Sequence, residues 1–139
     1  MDQNPQEIII QNFNPQPETP MHNYAPPDEN DVLLTIALAR IILGSNVSIQ
    51  APPNLNRDRI INVLRSGAND LGGLSPLTLD YINPNMAWQE ESNLDNELTA
   101  EGFKLNQRLP VYPPYEKYLS RRIRKIIEEK YRNEKTLST

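Results

Sequence analysis

The sequence predicts an α/β fold built from parallel βα units, on three observations. Short strand-like runs start at Glu7, Val47 and Leu71, with a weaker one at Leu105, and the first of them is β-branched without helical period. Stretches of helical spacing lie between them, marked by capping residues or closed by Gly44, Gly67 and Gly102. The intervals suit crossover helices rather than hairpins, which is the pattern of a parallel sheet.

Each element has a local cause. Glu7 to Phe13 (EIIIQNF) reads as a buried strand bounded by proline-rich sequence. Asn14 to Pro27 holds five prolines and must be an extended loop. Asp28, Asn30 and Asp31 offer N-cap chemistry for VLLTIALARIIL, and Gly44 supplies the stop. That helix has little polar surface and needs cover on more than one side. A second strand runs from Val47 to Gln50 and ends in Ala51-Pro52-Pro53-Asn54. Asn56 can cap a helix through Arg65, and Leu71 to Leu74 reads as a third strand ending in Ser75-Pro76. A loop with Asn83-Pro84 and Trp88 leads to a third helix near Glu90–Glu101. Leu105 to Tyr112 is a fourth, weaker strand because it contains Pro110. A final helix is expected from about Tyr115 to Arg132. Periodicity leaves two architectures open, a partial (β/α) barrel and a small open flavodoxin-type sheet.

Composition excludes several classes. With 139 residues, 37% hydrophobic and 23% charged, the chain is globular and on the polar side. No apolar run approaches the ~20 residues of a membrane span, and MDQNPQ has no signal-peptide character. A cytoplasmic protein with no membrane partner is expected. The absence of Cys removes disulfides, thiolate metal sites and a cysteine nucleophile. A single His leaves no multi-histidine metal site, so no metal ligands are expected. Of the net charge of -4, the acidic share lies before Val111, where carboxylates outnumber cations more than two to one. From Val111 onward the ratio is reversed. An acidic body of this kind argues against nucleic acid as its partner.

Candidate chemistry gathers at the carboxyl ends of the strands, where parallel α/β sheets bind ligands. Those ends carry Gln11 and Asn12, then Gln50 and Asn54, then Ser75 and Thr78. Amides and hydroxyls both donate and accept, so this set suits a polar heterocycle or a sugar rather than a bare charge. The same residues could instead cap helices and hold proline turns. Gly72 and Gly73 mark a bulge or a ligand close to the backbone, but neither the Walker nor the GxGxxG spacing is present. His22 reads as a surface or turn residue, and Met86 and Trp88 as packing. Asp28, Glu29, Asp31, Glu90 and Glu91 read as first-turn helix carboxylates. The tail, with Tyr118, Ile123, Ile126, Ile127 and Tyr131 at helical spacing, reads as a solvated amphipathic basic helix.

Four stretches in order carry a resemblance: QEIIIQNFNPQPETPM, LARIILGSNVSIQAPPNL, GANDLGGLSPLTLDYINP and LPVYP. Together they closely resemble the carboxyl half of the deazaflavin (FO) synthase family of radical SAM enzymes, over about Gln6 to Tyr118. Glu18 departs from the family pattern, which has a glycine or another small or basic residue there. The resemblance implies a partial (β/α) barrel over residues 1–115, half of a radical SAM TIM-type barrel, followed by the basic amphipathic helix and tail over 116–139. It also implies a 4Fe-4S cluster and S-adenosyl-L-methionine as cofactors of the full-length enzyme. That enzyme is a lyase in cofactor biosynthesis: a deoxyadenosyl radical abstracts hydrogen from a hydroxybenzyl-ribitylaminouracil adduct, and the ring closes with loss of ammonia.

The family's cluster loop, Cys-x-x-x-Cys-x-x-Cys, has no counterpart in this cysteine-free sequence. The chain therefore reads as a fragment that is not catalytic alone. Its implied partners are the amino-terminal half carrying the cysteine triad, the subunit that makes the tyrosine-derived adduct, and the small-molecule substrate. The alternative is a non-catalytic α/β substrate-binding or docking module. If the resemblance holds, Gln50, Asn54 and Ser75 share one rim, with Gly72 and Gly73 lining the same mouth.

Overall fold

The computed structural model describes residues 5–75 and 77–132. The chain divides into two compact units, Met1–Leu105 and Asn106–Thr139. In the first unit, strand β1 (Glu7–Ile9) pairs in parallel with strand β2 (Ser48–Gln50), Ile8 lying opposite Ile49. Between them runs helix α1 (Glu29–Leu43). Asp28 caps it by accepting from the Asp31 amide at 2.9 Å, and Gly44 ends it with a φ of 67°. This is the expected strand–helix–strand unit. β1 is shorter than the predicted run because the ladder ends with the Ile10 amide donating to the Gln50 carbonyl.

The chain then returns to the sheet a third time, only briefly. Gln50 forms a parallel bridge with Asp70, and the Asn69 and Ala51 amides donate to the Ile49 and Asp70 carbonyls. No strand continues over Leu71–Leu74, contrary to the pattern-based expectation. The Asp70 carboxylate takes the Gly72 amide at 2.7 Å, and Gly72 adopts a φ of 73°, which turns the backbone out of the ladder. The fourth expected strand, Leu105–Tyr112, is also absent. Pro110 supplies no amide donor there.

Helix α2 (Ile60–Arg65) starts later than the Asn56 cap predicts, after two 3-10 turns at Pro53–Leu55 and Arg57–Arg59. Asn56 is not a backbone cap, because its Oδ1 accepts from Arg59 Nε and its Nδ2 donates to the Pro52 carbonyl. Helix α3 (Glu91–Ala100) matches its predicted span. Two apolar clusters hold the unit. Val32 and Ile36 of α1 pack with Ile49, Ala51, Val63 and Ala68, and Ile60 and Leu71 pack with Leu94 and Leu98 of α3. Truncating Ile36 or Leu94 to Ala would cost about 2–5 kcal/mol by lost transfer energy and cavity formation.

α1 buries one stripe only. Leu34, Leu38, Ile41 and Ile42 stay exposed, the last two at 77% and 78%. Among the described residues nothing supplies the second cover that the sequence of this helix calls for.

In the second unit a 3-10 helix at Pro113–Tyr118 replaces the start of the expected long helix. The break has a cause: Leu119 is extended, and Ser120 Oγ accepts from the Ile123 amide to cap a new helix, α4 (Arg121–Ile127). A π-helical turn, Glu128–Arg132, follows. Only Ile127 of the predicted apolar stripe is buried, while Tyr118, Ile123, Ile126 and Tyr131 are exposed. The remainder of the predicted tail lies outside the described residues.

Candidate functional site

Beyond the carboxyl ends of β1 and β2 the chain forms two adjoining grooves of about 630 and 390 Å³. Gln11 and Ile82 line both. Asn12, Asn14 and Asn83 face the larger beside Phe13 and Met21. Asn54, Thr78 and Asp80 face the smaller beside Trp88. Amides set among apolar and aromatic side chains are a lining of the kind that small-molecule sites have.

A polar network ties the walls together. Asn83, 3% exposed, accepts at Oδ1 from Asn14 Nδ2 (3.1 Å) and Gln16 Nε2 (3.3 Å). Its own Nδ2 donates to Asp80 Oδ2 at 3.2 Å. Asp80 also accepts from Asn54 Nδ2 at 2.9 Å and from the Ile82 and Asn83 amides at 2.9 and 3.0 Å. Desolvation pushes the Asp80 carboxyl up, but the hydrogen bonds from Asn83, Asn54 and Ile82 together outweigh it. The carboxyl is held below its ordinary value and stays ionised at neutral pH.

Among the described residues, two buried side-chain acceptors have no donor, Asn12 Oδ1 and Asn54 Oδ1. Each of these amides is oriented by its other end. Asn12 Nδ2 donates to the Leu55 carbonyl at 3.3 Å, and Asn54 Nδ2 to the Asp80 carboxylate.

The eight residues anticipated on the rim fall into distinct groups. Gln11, Asn12, Asn54 and Thr78 line the grooves. Gln50 ends β2 and packs against Gly72, where an added Cβ would lie 2.5 Å from Gln50 Nε2. A Cβ added at Gly73 would meet nothing within 4 Å. Ser75 and Thr78 hydrogen-bond through their hydroxyls, in a turn and not after a strand. Asp80, Asn83, Asn14 and Gln16 were not anticipated. The signal for the first two was present: Asp80-x-x-Asn83-Pro84 is an Asx-turn sequence, with the carboxylate taking the next free amides.

Elsewhere, His22 is exposed, its Nδ1 donating to the Thr19 carbonyl at 2.8 Å, and Met86 is exposed. Among the carboxylates near helix starts, Glu29 accepts from Asn62 Nδ2 at 2.8 Å. Among the described residues no three His, Asp or Glu converge, and the sequence has no Cys. The donors of this chain do not fit a 4Fe-4S cluster.

Curated relatives match most of the chain. A 7,8-didemethyl-8-hydroxy-5-deazariboflavin synthase of Methanopyrus kandleri is 47% identical over 110 residues, covering 79% of this chain and 33% of that protein. The enzyme of that name from Archaeoglobus fulgidus is 48% identical over 112 residues, covering 81% and 34%. That of Methanosarcina acetivorans is 43% identical over 131 residues, covering 93% and 39%. The likeness carried by the IQNF, QAPPNL and GGLSP stretches is therefore borne out. The chain spans about a third of the length of the curated relatives it matches. No protein-family model and no solved structure matches it.

Proposed function

We propose that this chain is one part of a deazaflavin (FO) synthase, and that it works only with the remainder of that enzyme. The observation that carries the reading is the 43–48% identity over most of the chain to proteins of that name. In this reading the parallel βα unit is a section of a (β/α) barrel, and the basic carboxyl segment is an appendage to it. The assembled enzyme is a cytoplasmic radical SAM carbon–nitrogen lyase that closes the deazaflavin ring of a hydroxybenzyl-ribitylaminouracil adduct with loss of ammonia. Cluster and S-adenosyl-L-methionine chemistry require the missing part, since the donors here fit no cluster. A separate subunit supplies the adduct.

The contribution of this chain is the rim that binds the small molecule. The paired grooves support that role, with Gln11, Asn12, Asn54 and Thr78 on their walls. Gln50 with Gly72 and Gly73, and Ser75 with Thr78, extend the same rim. The exposure of Leu34, Leu38, Ile41 and Ile42 on α1 supports the need for a partner segment.

The test is complementation. The chain is co-expressed with the cysteine-bearing remainder taken from a relative, and deazaflavin formation is assayed with each part alone and with both. Product from the pair and from neither part alone is expected. No product from a pair that co-purifies and carries its cluster would overturn the reading.

A further inference from the structure

We propose that Asn83 and Asp80 are positioning residues for the proline loop: Asn83 Oδ1 holds the loop in place as a wall of the larger groove, and Asp80 acts through Asn83 by fixing which way its amide faces. This assignment rests on the rim reading above and adds to it the residues that build the site. The loop does not hold itself. Every residue from Pro17 to Pro26 is exposed, so no buried side chain anchors that stretch. Its backbone hydrogen bonds are local, from the Thr19 amide to the Gln16 carbonyl, from His22 to Thr19 and from Tyr24 to Met21. Among the described residues, two hydrogen bonds tie residues 14–27 to the rest of the chain, from Asn14 Nδ2 at 3.1 Å and Gln16 Nε2 at 3.3 Å. Both end on one atom, Asn83 Oδ1. The prolines that follow have fixed φ, so pinning Asn14 and Gln16 directs the course of the loop after them. Gln16, Thr19, Pro20 and Met21 line the larger groove, and their placement therefore depends on that oxygen.

Asn83 alone would leave the direction of these bonds open, because a turned amide presents its NH2 where its oxygen had been. Asp80 removes that choice. An ionised carboxylate only accepts, so Asn83 Nδ2 faces Asp80 Oδ2 at 3.2 Å and Oδ1 is left facing the loop. Asp80 also sets the turn that carries Asn83, since its Oδ1 takes the Ile82 and Asn83 amides at 2.9 and 3.0 Å. Asn83 is 3% exposed, which leaves little room for water to replace either partner. One carboxylate thus fixes the turn, the amide on it and, through that amide, the loop.

The test reads the loop directly and apart from turnover. The chain has no cysteine of its own, so nitroxide labels on Asn23→Cys in the loop and Asn96→Cys on α3 attach nowhere else. Pulsed electron resonance on the full chain should give one narrow distance with Asn83 present and a broad distribution in Asn83→Leu. Asn14→Ala/Gln16→Ala removes the two donors from the loop side and leaves Asn83 and its turn intact, so it covers the case in which Asn83→Leu fails to fold. It should broaden the distribution equally, with helix content by circular dichroism unchanged. Asp80→Ala should broaden it in the otherwise wild-type chain and add nothing in Asn83→Leu, whereas a general destabilisation would add. In the complemented pair, Asn14→Ala/Gln16→Ala should raise KM for the adduct roughly tenfold and change kcat by less than about twofold. The proposal is overturned if the distribution is already broad with Asn83 present, if it stays narrow without the Asn14 and Gln16 donors, if Asp80→Ala adds to Asn83→Leu, or if KM does not move when the loop is released. The expected distances in a wild-type pair that makes no deazaflavin would sink the functional reading and leave the positioning of the loop standing.

Discussion

Glu18 turns the proline loop with a φ of 65°, a conformation that costs an L side chain roughly 1–2 kcal/mol. Glu18→Gly should therefore stabilise the chain, by about 0.5–1 kcal/mol after the added freedom of the unfolded glycine is deducted. A higher urea midpoint with an unchanged slope is the expected result. Asp80 gives a second residue-scale outcome. Its folded pKa lies below the unfolded value of about 3.9, so its stabilisation is complete above that pH and is lost as pH falls through the folded pKa. Asp80→Asn should lower the denaturation midpoint at neutral pH. The gap to wild type should close as pH falls below about 4. A gap of constant size from pH 7 to pH 3 would show that the carboxylate is not what the Asn54, Ile82 and Asn83 donors stabilise.

At the scale of elements, α1 and its connection to β2 are held by Arg40. Its guanidinium donates to the Gly44 carbonyl at 2.6 Å, the Val47 carbonyl at 2.8 Å and Asn69 Oδ1 at 2.7 Å, while Nε donates to the Gly67 carbonyl at 2.9 Å. Gly67 packs on the stem of this side chain, and a Cβ there would lie 2.8 Å from Arg40 Cβ at a φ of 120°. Gly67→Ala should thus cost about 1–3 kcal/mol, through backbone strain and displacement of a pinned side chain. Gly102→Ala carries the positive φ without the clash and should cost less, which urea denaturation of the two variants would show. These elements also show what was legible in the sequence. α1 was readable because its signals are local: an Asp cap, a Gly stop and a largely apolar run between them. The third and fourth strands were not, because strand formation depends on a partner edge. After Asp70 a side chain takes the next amide and the chain leaves the sheet. The final helix was misread for a related reason, since Ser120 competes as a cap inside an otherwise helical pattern. The groove residues Gln11, Asn12, Asn54 and Thr78 were legible from their place after the strands. For Asp80 and Asn83 the sequence signals only the local Asx turn, and their bonds to Asn54, Asn14 and Gln16, far away in sequence, are not legible in it.

For the whole molecule, the informative feature is apolar surface left over after folding. Ile9 on β1 and Leu34, Leu38, Ile41 and Ile42 on α1 are exposed, and among the described residues no further strand pairs with β1. Covering an isoleucine side chain is worth roughly 1.5–3 kcal/mol, so leaving Ile41 and Ile42 bare forgoes several kcal/mol that a neighbouring βα unit would recover. In the proposed assembly, the two thirds of the relatives' length that lie beyond this chain would supply such units. Two outcomes follow for Ile41→Glu/Ile42→Lys. In the isolated chain the helix should persist by circular dichroism, because neither residue belongs to the buried stripe of Val32 and Ile36, and self-association in sedimentation velocity should decrease. With the cysteine-bearing remainder, the same variant should co-purify poorly and yield much less deazaflavin than wild type. A variant that assembles and turns over as well as wild type would show that this face of α1 looks onto solvent in the complete enzyme, and the covering units would then have to pack on β1 and Ile9 alone.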